Sequence, residues 1–288
     1  MQCFSLTTLL VVSLTNLILL IVMILESRKK CLNEDVISDT GFRFGALKGL
    51  DKSSAVMQRG VLRDEARSMA ALILLKGGMT SLICGTVIIS KTWVLTTAHC
   101  CELVRSLSFE NLKITSNSEN WKRGKKRSIE NLVRHINYTA KSSAFNVCLI
   151  KVGSPFKEVN EQPMPIASSE YRYITDTSAS TLGWSSTKSS LYTIDVNLIS
   201  FQRCRTLVKA DHVDETMVCA YNIDTADCRF DSGGPLIQSN IVIGMVSFET
   251  NCAKRATARV FTRMSFFQRW FQDVEKQNDV RIGASFKP

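Results

Sequence analysis

Acidic residues are scarce in this chain relative to basic ones. Its 288 residues include 26 Asp and Glu against 36 Lys and Arg, which leaves a formal net charge of +10. This imbalance indicates acidic partners or anionic surfaces, and it carries no information about the fold. The length allows one large domain or two small ones.

Long helical periodicity is also missing until the last part of the chain. From Met69 onward, short apolar runs alternate with turn signals, a pattern typical of an all-β sandwich or barrel. The runs are Ala70–Leu75, Leu82–Ile89, Val147–Val152 and Ile241–Phe248. Near the C-terminus, apolar residues recur at helical spacing and predict one packed helix. They are Phe266, Phe267, Trp270, Phe271 and Val274.

The N-terminal segment lacks the charges that would decide its role. Phe4–Leu25 is uncharged, with no basic region before it and no clear small-x-small cleavage site. Its length favours a membrane anchor, whereas its short apolar core, Leu17–Leu25, favours a cleaved secretory signal. Arg28–Lys30 would place the rest of the chain in the cytosol, but ten cysteines favour an oxidising compartment. We therefore predict a signal peptide over residues 1–26 and secretion, with a signal anchor and an extracellular domain as the alternative.

The polar stretch after this segment has too few cysteines for a disulfide-knotted regulatory module. It contains only Cys31, so we interpret residues 27–56 as a pro-segment or linker. A folded domain is predicted over residues 57–277, followed by a C-terminal tail over residues 278–288.

Two motifs carry the chemistry. One is Asp227-Cys228-Arg229-Phe230-Asp231-Ser232-Gly233-Gly234-Pro235-Leu236, in which the glycines allow a tight turn that holds the Ser232 hydroxyl out into a cleft. The other lies about 130 residues upstream and reads Trp93-Val94-Leu95-Thr96-Thr97-Ala98-His99-Cys100. In this order and spacing they resemble the nucleophile and histidine segments of the chymotrypsin/trypsin-like serine protease family. The resemblance covers about Met69 to Gln277 and implies two antiparallel six-stranded β-barrels, an active site between them and a C-terminal helix.

The implied catalytic triad departs from the family at its third member. His99 and Ser232 match the general base and the nucleophile, but the motif Asn146-Val147-Cys148-Leu149-Ile150 has Asn146 where the family has aspartate. No acidic residue lies between Ala140 and Lys151 to replace it. An aspartate fixes the histidine tautomer, whereas an amide can donate, stabilises the wrong tautomer and lacks the charge that stabilises the imidazolium. In another serine protease this substitution lowers turnover about 10⁴-fold.

The implied oxyanion hole also differs from that of the family. The resemblance builds it from the backbone N–H groups of Phe230 and Ser232, and Phe230 stands where the family has glycine. A bulky residue there is expected to disturb the backbone geometry and to crowd the cleft. Loss of one oxyanion donor typically lowers turnover by about 10²–10³.

The implied specificity pocket does not fit a trypsin-like preference for Lys or Arg. Ala226 occupies its floor, and the wall segment Val246-Ser247-Phe248-Glu249 resembles the family's Val-Ser-Trp-Gly, with Glu249 replacing a small residue. Arg259 falls where the wall usually has glycine. There Arg259 either plugs the pocket, or binds an acidic side chain as an arginine does in the aspartate-preferring granzyme, or points to solvent.

The family's activation sequence is missing too. The chain has no Ile-Val-Gly-Gly tetrapeptide. The register places Ala55-Val56-Met57-Gln58 near that position, and Arg59-Gly60-Val61 falls a few residues late. We therefore expect Asp231 to lack the ammonium partner that activates family members.

The cysteines are predicted to form four bonds. The family pattern implies Cys84–Cys100, Cys204–Cys219 and Cys228–Cys252. Cys101 and Cys148 closely follow two triad positions that meet in the implied first barrel, so we predict that they pair, with two buried free thiols as the alternative. Cys31 is left for an intermolecular bond or for tethering the pro-segment.

A basic run, Trp121-Lys122-Arg123-Gly124-Lys125-Lys126-Arg127, has five basic residues in seven. In the family this region forms a calcium loop or, in thrombin, an anion-binding exosite. The acidic ligands of a calcium loop are not evident, so we predict no metal. The run predicts a site for an acidic partner or a sulfated polysaccharide, and the alternative is a solvated loop kept mobile by its like charges. The predicted exosite residues are Lys122, Arg123, Lys125, Lys126 and Arg127.

These features together predict a secreted serine protease homologue with lost or strongly reduced catalysis. It would act as a binding or regulatory protein in an extracellular protease network, in immune or reproductive fluids where related inactive homologues occur. Its partners would be other proteases or inhibitors; no cofactor and no nucleic acid are expected. A sequon, Asn137-Tyr138-Thr139, predicts glycosylation of Asn137. The alternatives are a weakly active endopeptidase cleaving after acidic residues and a membrane-tethered binding module.

Overall fold

A computed structural model describes residues 64–184, 189–208, 213–221, 232–248 and 258–288. The predicted signal segment, the linker, Cys31 and the Cys228–Cys252 bond lie outside these ranges. Within them, no helix is both long and apolar enough to cross a membrane.

The first half of the described chain closes into a six-stranded antiparallel barrel with the strand order β1-β2-β3-β6-β5-β4. Its strands are β1 (Met69–Lys76), β2 (Met79–Ile88), β3 (Trp93–Thr96), β4 (Leu112–Ser116), β5 (Lys125–Arg134) and β6 (Cys148–Val152). Gly77 and Gly78 join β1 to β2 with φ angles of 58° and 77°. Two consecutive positive φ angles are what the tightest hairpin turns require, and glycine adopts them without strain.

The second half forms an eight-stranded sheet in the order β11-β8-β9-β10-β13-β12-β7-β14, and pairing of β11 with β12 closes six of these strands into a second barrel. The strands are β7 (Ile166–Ala167), β8 (Ser178–Trp184), β9 (Leu191–Ile199), β10 (Met217–Tyr221), β11 (Pro235–Gln238), β12 (Ile241–Phe248), β13 (Arg259–Arg263) and β14 (Phe286–Lys287). The predicted fold of two six-stranded barrels is confirmed, and the four apolar runs lie in β1, β2, β6 and β12.

Helices are short and few among the described residues. They are α1 (Ala98–Leu103), α2 (Phe201–Val208) and α3 (Gln268–Asn278), with 3₁₀ turns at Asp64–Ser68, Phe109–Asn111 and Met264–Phe266. The predicted C-terminal helix is α3, which buries Phe271 and Val274 against the main core. Phe267 precedes its first turn and is buried as well.

The C-terminal tail is packed into the domain and does not lie apart from it. β14 pairs in parallel with β7, and the Phe286 ring meets Phe271 of α3 at 5.3 Å. The indole N–H of Trp93 in the first barrel donates to the Arg281 carbonyl at 3.3 Å. The folded domain therefore extends past the predicted boundary at residue 277 and through Lys287.

A buried ion pair lies between the first barrel and the connection that follows it. Arg127 on β5 and Glu161 in the connection to β7 have side chains with 0% exposure and meet at 2.6 Å. Ser116 on β4 donates to the same carboxylate at 2.6 Å, and the backbone N–H groups of Lys157 and Glu158 donate at 2.9 and 3.0 Å. The pair thus joins two strands to the connection between the barrels.

The environment of Glu161 keeps its carboxylate ionised. Burial raises the pKa of Glu161, but hydrogen bonds from Ser116, from the Glu158 backbone, from Arg127 and from the Lys157 backbone outweigh it and leave the pKa below its ordinary value. The resulting stabilisation is present at neutral pH and is lost as the pH falls through the folded-state pKa.

We predict that Arg127→Met and Glu161→Gln each lower the free energy of unfolding by about 3–5 kcal/mol, because either change leaves a buried charge without its partner. The double variant should lose less than the sum of the two single losses, because the two groups interact directly. Urea unfolding at neutral pH measures all three values.

The matched control is Lys125→Met, which breaks the Lys125–Glu158 pair, where the side chains are 44% and 34% exposed. An exposed pair of this kind contributes at most about 1 kcal/mol. Equal urea midpoints for Glu161→Gln and Lys125→Met would contradict a stabilising role for the buried pair.

Candidate active site

The short helix α1 carries His99. Its N-cap is Thr97, whose hydroxyl accepts from the Cys100 N–H at 3.4 Å, a bond that satisfies one of the free N–H groups at a helix start. Ala98, Cys100 and Cys101 are buried, whereas His99 is only partly buried. The buried residues of the helix therefore fix its position, and His99 remains partly accessible to solvent.

Two disulfides hold this helix from opposite sides. Cys100 bonds to Cys84 on β2 with an S–S distance of 2.04 Å, and Cys101 bonds to Cys148 on β6 with a distance of 2.05 Å. The predicted Cys101–Cys148 bond is thus confirmed, and with it the Cys84–Cys100 bond. The predicted Cys204–Cys219 bond links α2 to β10.

Asn146 contacts the histidine segment directly. Its Oδ1 accepts from the backbone N–H of His99 at 2.9 Å. Its Nδ2 donates to the Ser247 hydroxyl at 2.9 Å and, at 3.4 Å, to the Ser247 carbonyl. The Asn146 backbone carbonyl accepts from the Thr262 hydroxyl at 2.9 Å. The asparagine is 1% exposed, and both ends of its amide are occupied.

The Ser232 turn packs closely on the first barrel. The Gly85 N–H donates to the Ser232 carbonyl at 2.9 Å. Gly233 has a φ of 82°, and a Cβ at that position would collide with the Gly85 carbonyl and the Thr96 hydroxyl. Only glycine fits there, which explains the residue that follows the predicted nucleophile. Ser232 itself is partly buried.

The structure thus brings His99, Asn146 and Ser247 together and anchors Ser232 to the same barrel. Among the described residues, the His99 imidazole forms no hydrogen bond with Ser232 or with the Asn146 amide. Ser247, which is also predicted as a residue of the pocket wall, accepts a hydrogen bond from the Asn146 amide. Arg259 opens β13, opposite Ala220. The remaining predicted site residues, Ala226, Phe230, Asp231 and Glu249, lie outside the described residues, so the pocket and the oxyanion hole stay predictions.

A cluster of rings beside Asn146 was missed by the sequence reasoning. The His135 ring stacks on Phe145 at 4.9 Å and lies 5.4 and 5.7 Å from Trp270 and Phe267. Its Nδ1 accepts from the Asn137 N–H at 3.2 Å. Phe145 directly precedes Asn146 and has a φ of 54°, which is unusual for a non-glycine residue. The cluster therefore packs the backbone that carries Asn146 against the start of the C-terminal helix α3.

Burial lowers the pKa of His135 below its ordinary value, and the neighbouring Arg134 guanidinium lowers it further. As the pH falls through 6.5, the unfolded chain binds a proton at this residue before the folded chain does. The stability contributed by neutral His135 is complete above that pH and decreases below it.

We predict that His135→Phe makes the free energy of unfolding less sensitive to acid between about pH 7.5 and 5.5, because a ring stays in the stack but no titrating group remains. Urea titrations at several pH values measure the slope. Ile136→Phe is the control, since residue 136 is exposed and the change leaves His135 in place. The same slope for His135→Phe and the unsubstituted protein would refute the role assigned to His135.

The predicted basic exosite needs one correction. Arg127 does not belong to it, because its guanidinium is buried against Glu161 and donates to the carbonyls of Ser154 and Pro155. The alternation of buried and exposed residues along β5 turns this residue inward. A count of basic residues in the sequence does not reveal this burial. The side chains of Lys122, Arg123, Lys125 and Lys126 are exposed, and Lys125 pairs with Glu158.

Lys122 and Arg123 lie in the loop before β5, Lys125 and Lys126 lie at the start of β5, and the loop is docked on the second barrel. Trp121 is 6% exposed, and its backbone N–H donates to the Ser189 carbonyl at 3.3 Å. The indole N–H of Trp184 donates to the Glu119 carbonyl at 2.7 Å. The exposed basic side chains therefore project from an anchored loop and from the first residues of the strand that follows it. No group of three His, Cys, Asp or Glu side chains converges on a possible metal site within the described ranges.

Comparison with known proteins identifies relatives of the whole barrel region. The family model described as Trypsin matches residues 60–271. The trypsin of Sarcophaga bullata is 28% identical over 222 residues, covering 70% of this chain and 83% of its own. Hypodermin-A of Hypoderma lineatum is 29% identical over 201 residues, covering 63% of this chain and 73% of its own. Among solved structures, the scabies mite inactivated protease paralogue S-I1 matches with a TM-score of 0.64 at 21% identity, covering 74% of this chain and 96% of its own.

Proposed function

This chain belongs to the trypsin family, and we propose that it is a member with lost or strongly reduced catalysis that acts by binding. The observation that carries the proposal is the orientation and hydrogen bonding of the Asn146 side-chain amide. Its amide occupies the place of the triad carboxylate, and its Nδ2 hydrogen is directed to Ser247. A triad carboxylate would accept a hydrogen bond from the imidazole N–H, whereas this amide nitrogen can only donate one.

The orientation of this amide is fixed by its surroundings. The backbone N–H of His99 can only donate, so Oδ1 must face it. Nδ2 then occupies the other carboxylate position, from which an aspartate would hold the imidazole in its productive tautomer. An amide in that place favours the opposite tautomer and supplies no negative charge for the imidazolium.

Three further departures from the family also support reduced catalysis. Phe230 replaces the glycine of the oxyanion hole, the pocket positions Ala226 and Arg259 differ from those of trypsin, and no Ile-Val-Gly-Gly N-terminus is encoded. These act on separate requirements of the reaction, so correcting one leaves the others in force.

The fold tolerates such a loss in at least one other protein, since the scabies mite structure is described as an inactivated protease paralogue. That likeness concerns the fold alone. The relative from Sarcophaga bullata is named a trypsin, and this chain retains His99 and Ser232. A weakly active endopeptidase is therefore the competing function, with Arg259 as the residue that would receive an acidic side chain.

We predict no hydrolysis of peptide substrates above background at neutral pH, including substrates with Asp or Glu before the scissile bond. Asn146→Asp alone should give little activity. Asn146→Asp with Phe230→Gly should give more when a competent N-terminus is also supplied to pair with Asp231. The new carboxylate would find two donors already in place, the His99 N–H and the Ser247 hydroxyl. Labelling by a fluorophosphonate, which reports an activated serine, measures the gain directly.

Each variant needs a partner that carries Ser232→Ala, so that contaminating protease activity is recognised. Thermal unfolding of all variants checks that the barrels remain intact. The binding role is wrong if the unsubstituted protein cleaves an Asp- or Glu-containing substrate and Ser232→Ala abolishes the cleavage. The acidic-specificity endopeptidase then takes its place.

For location, we propose a secreted protein released by cleavage after the N-terminal apolar segment. Three disulfides among the described residues are typical of an oxidising compartment. The sequon residue Asn137 is exposed at the end of β5, where a glycan could be attached. An uncleaved segment would instead give a membrane-tethered binding module with the same domain outside the cell.

For a partner, we propose an acidic protein or a sulfated polysaccharide bound at the anchored basic loop, within an extracellular protease network. The loop and the start of β5 present Lys122, Arg123 and Lys126 without ion pairs among the described residues, and Lys122 lies over the Trp121 ring at 5.2 Å. An anchored set of cations loses little conformational freedom on binding, which favours affinity.

We predict that replacing Lys122, Arg123 and Lys126 with glutamine lowers the salt concentration at which the protein elutes from heparin. The retention should also fall steeply with salt, because exposed charges are screened over about 10 Å at 0.1 M. The control replaces Lys141, Arg269 and Lys276, which are exposed elsewhere, and so removes the same net charge. Equal elution of the two triple variants would leave only a general effect of net charge.

A further inference from the structure

A cavity lies on the second barrel, apart from the candidate active site. Its volume is about 640 Å³, within the range of about 300–1,000 Å³ that is typical of small-molecule sites. It opens where the ends of β9 and β13 meet the beginnings of α2 and β10. His99, Asn146, Ser232 and Ser247 are not among the residues that line it.

The floor and walls of this cavity are mainly apolar. Ile199, Met217 and Val218 line it and are buried within the barrel. Phe201 at the start of α2 forms part of the wall and is 47% exposed. An apolar ligand group placed here would cover this surface and remove it from water, which favours binding.

Two tyrosines form another wall without offering free polar groups. The rings of Tyr171 and Tyr173 meet edge to face at 5.0 Å. Their hydroxyls donate to Gln238 at 2.6 Å and to the Ile243 carbonyl at 2.7 Å. Burial raises the pKa of Tyr173 to about 12, so the ring stays neutral and does not repel an anion.

The polar feature of the cavity is Arg263. Its guanidinium lies over the Tyr173 ring at 4.7 Å, and its Nε donates to the Ser265 hydroxyl at 3.1 Å. No carboxylate pairs with it among the described residues, although Glu215 lines the same cavity. A half-buried guanidinium held by one bond and a ring leaves its two terminal nitrogens for a planar anion.

The charges around the opening favour an anion over a cation. Arg172 lines the cavity as well and is exposed, so two arginines face one carboxylate, Glu215. The opening therefore combines an apolar floor with a net positive charge.

We infer that this cavity binds a small amphipathic monocarboxylate, with its chain on the Met217 floor and its carboxylate on Arg263. The inference is independent of whether Ser232 is active, because the cavity shares no residue with the triad positions.

The test uses three probes that share one alkyl chain: octanoate, octanol and octylammonium. The purified full chain is labelled at its methionine methyl groups, and the shift of the Met217 methyl is followed by NMR as each probe is added. Octanoate should shift this signal and saturate. Octanol should bind more weakly, and octylammonium most weakly.

Arg263→Met should weaken octanoate binding about tenfold or more, because a charge-assisted bidentate contact is lost. Arg269→Met is the matched control, since it removes an exposed arginine that does not line the cavity. Glu215→Gln should strengthen octanoate binding by removing a repelling charge, and it keeps the test valid if Arg263→Met does not fold. Equal binding of octanoate and octanol, or a Glu215→Gln variant that binds octanoate no better, would overturn the assignment.

Discussion

The hydrogen bond from the His99 backbone to Asn146 Oδ1 is the contact on which the site depends. A backbone N–H has no other option than to donate, so this bond sets which end of the amide faces the histidine segment. Ser247 completes the arrangement by accepting from Nδ2. Turning the amide over would leave two donors facing each other in a buried place, at a cost of about 1–3 kcal/mol. The Asn146 amide is therefore held in one orientation, with its oxygen on the histidine segment and its nitrogen on Ser247.

Covalent bonds reinforce the framework around that contact. Consecutive cysteines tie α1 to β2 and to β6, and the second bond closes a loop of 47 residues. A loop of that length corresponds to about 4 kcal/mol in the chain-entropy account of disulfides. The Gly85–Ser232 hydrogen bond and the ring cluster around His135 add non-covalent support. The geometry of a protease site is thus maintained by bonds that do not depend on catalysis, which is compatible with a binding role.

Not every charged residue of a basic run in this sequence lies on the surface of the protein. The basic run was predicted as one surface, yet strand alternation and the Glu161 carboxylate bring Arg127 inside while Lys126 remains outside. The same distinction applies to Arg263, which gave no signal in the sequence. Its position over Tyr173 and beside an apolar floor makes it a feature of the second barrel. In both cases the partner lies far away in the chain, and only the closed barrel brings it near.

The sequence by itself determined the family, the two-barrel fold, the positions of His99, Asn146 and Ser232, and the pairing of Cys101 with Cys148. These depend on residue types at characteristic spacings, and such spacings are visible in one dimension. Tertiary structure alone decided the direction of the Asn146 amide, the partnership with Ser247, the burial of Arg127 and the packing of the tail against β7. Each of these depends on which atoms meet across a barrel or between barrels. That outcome follows from close packing and from the need to satisfy buried polar groups, and no local pattern encodes it.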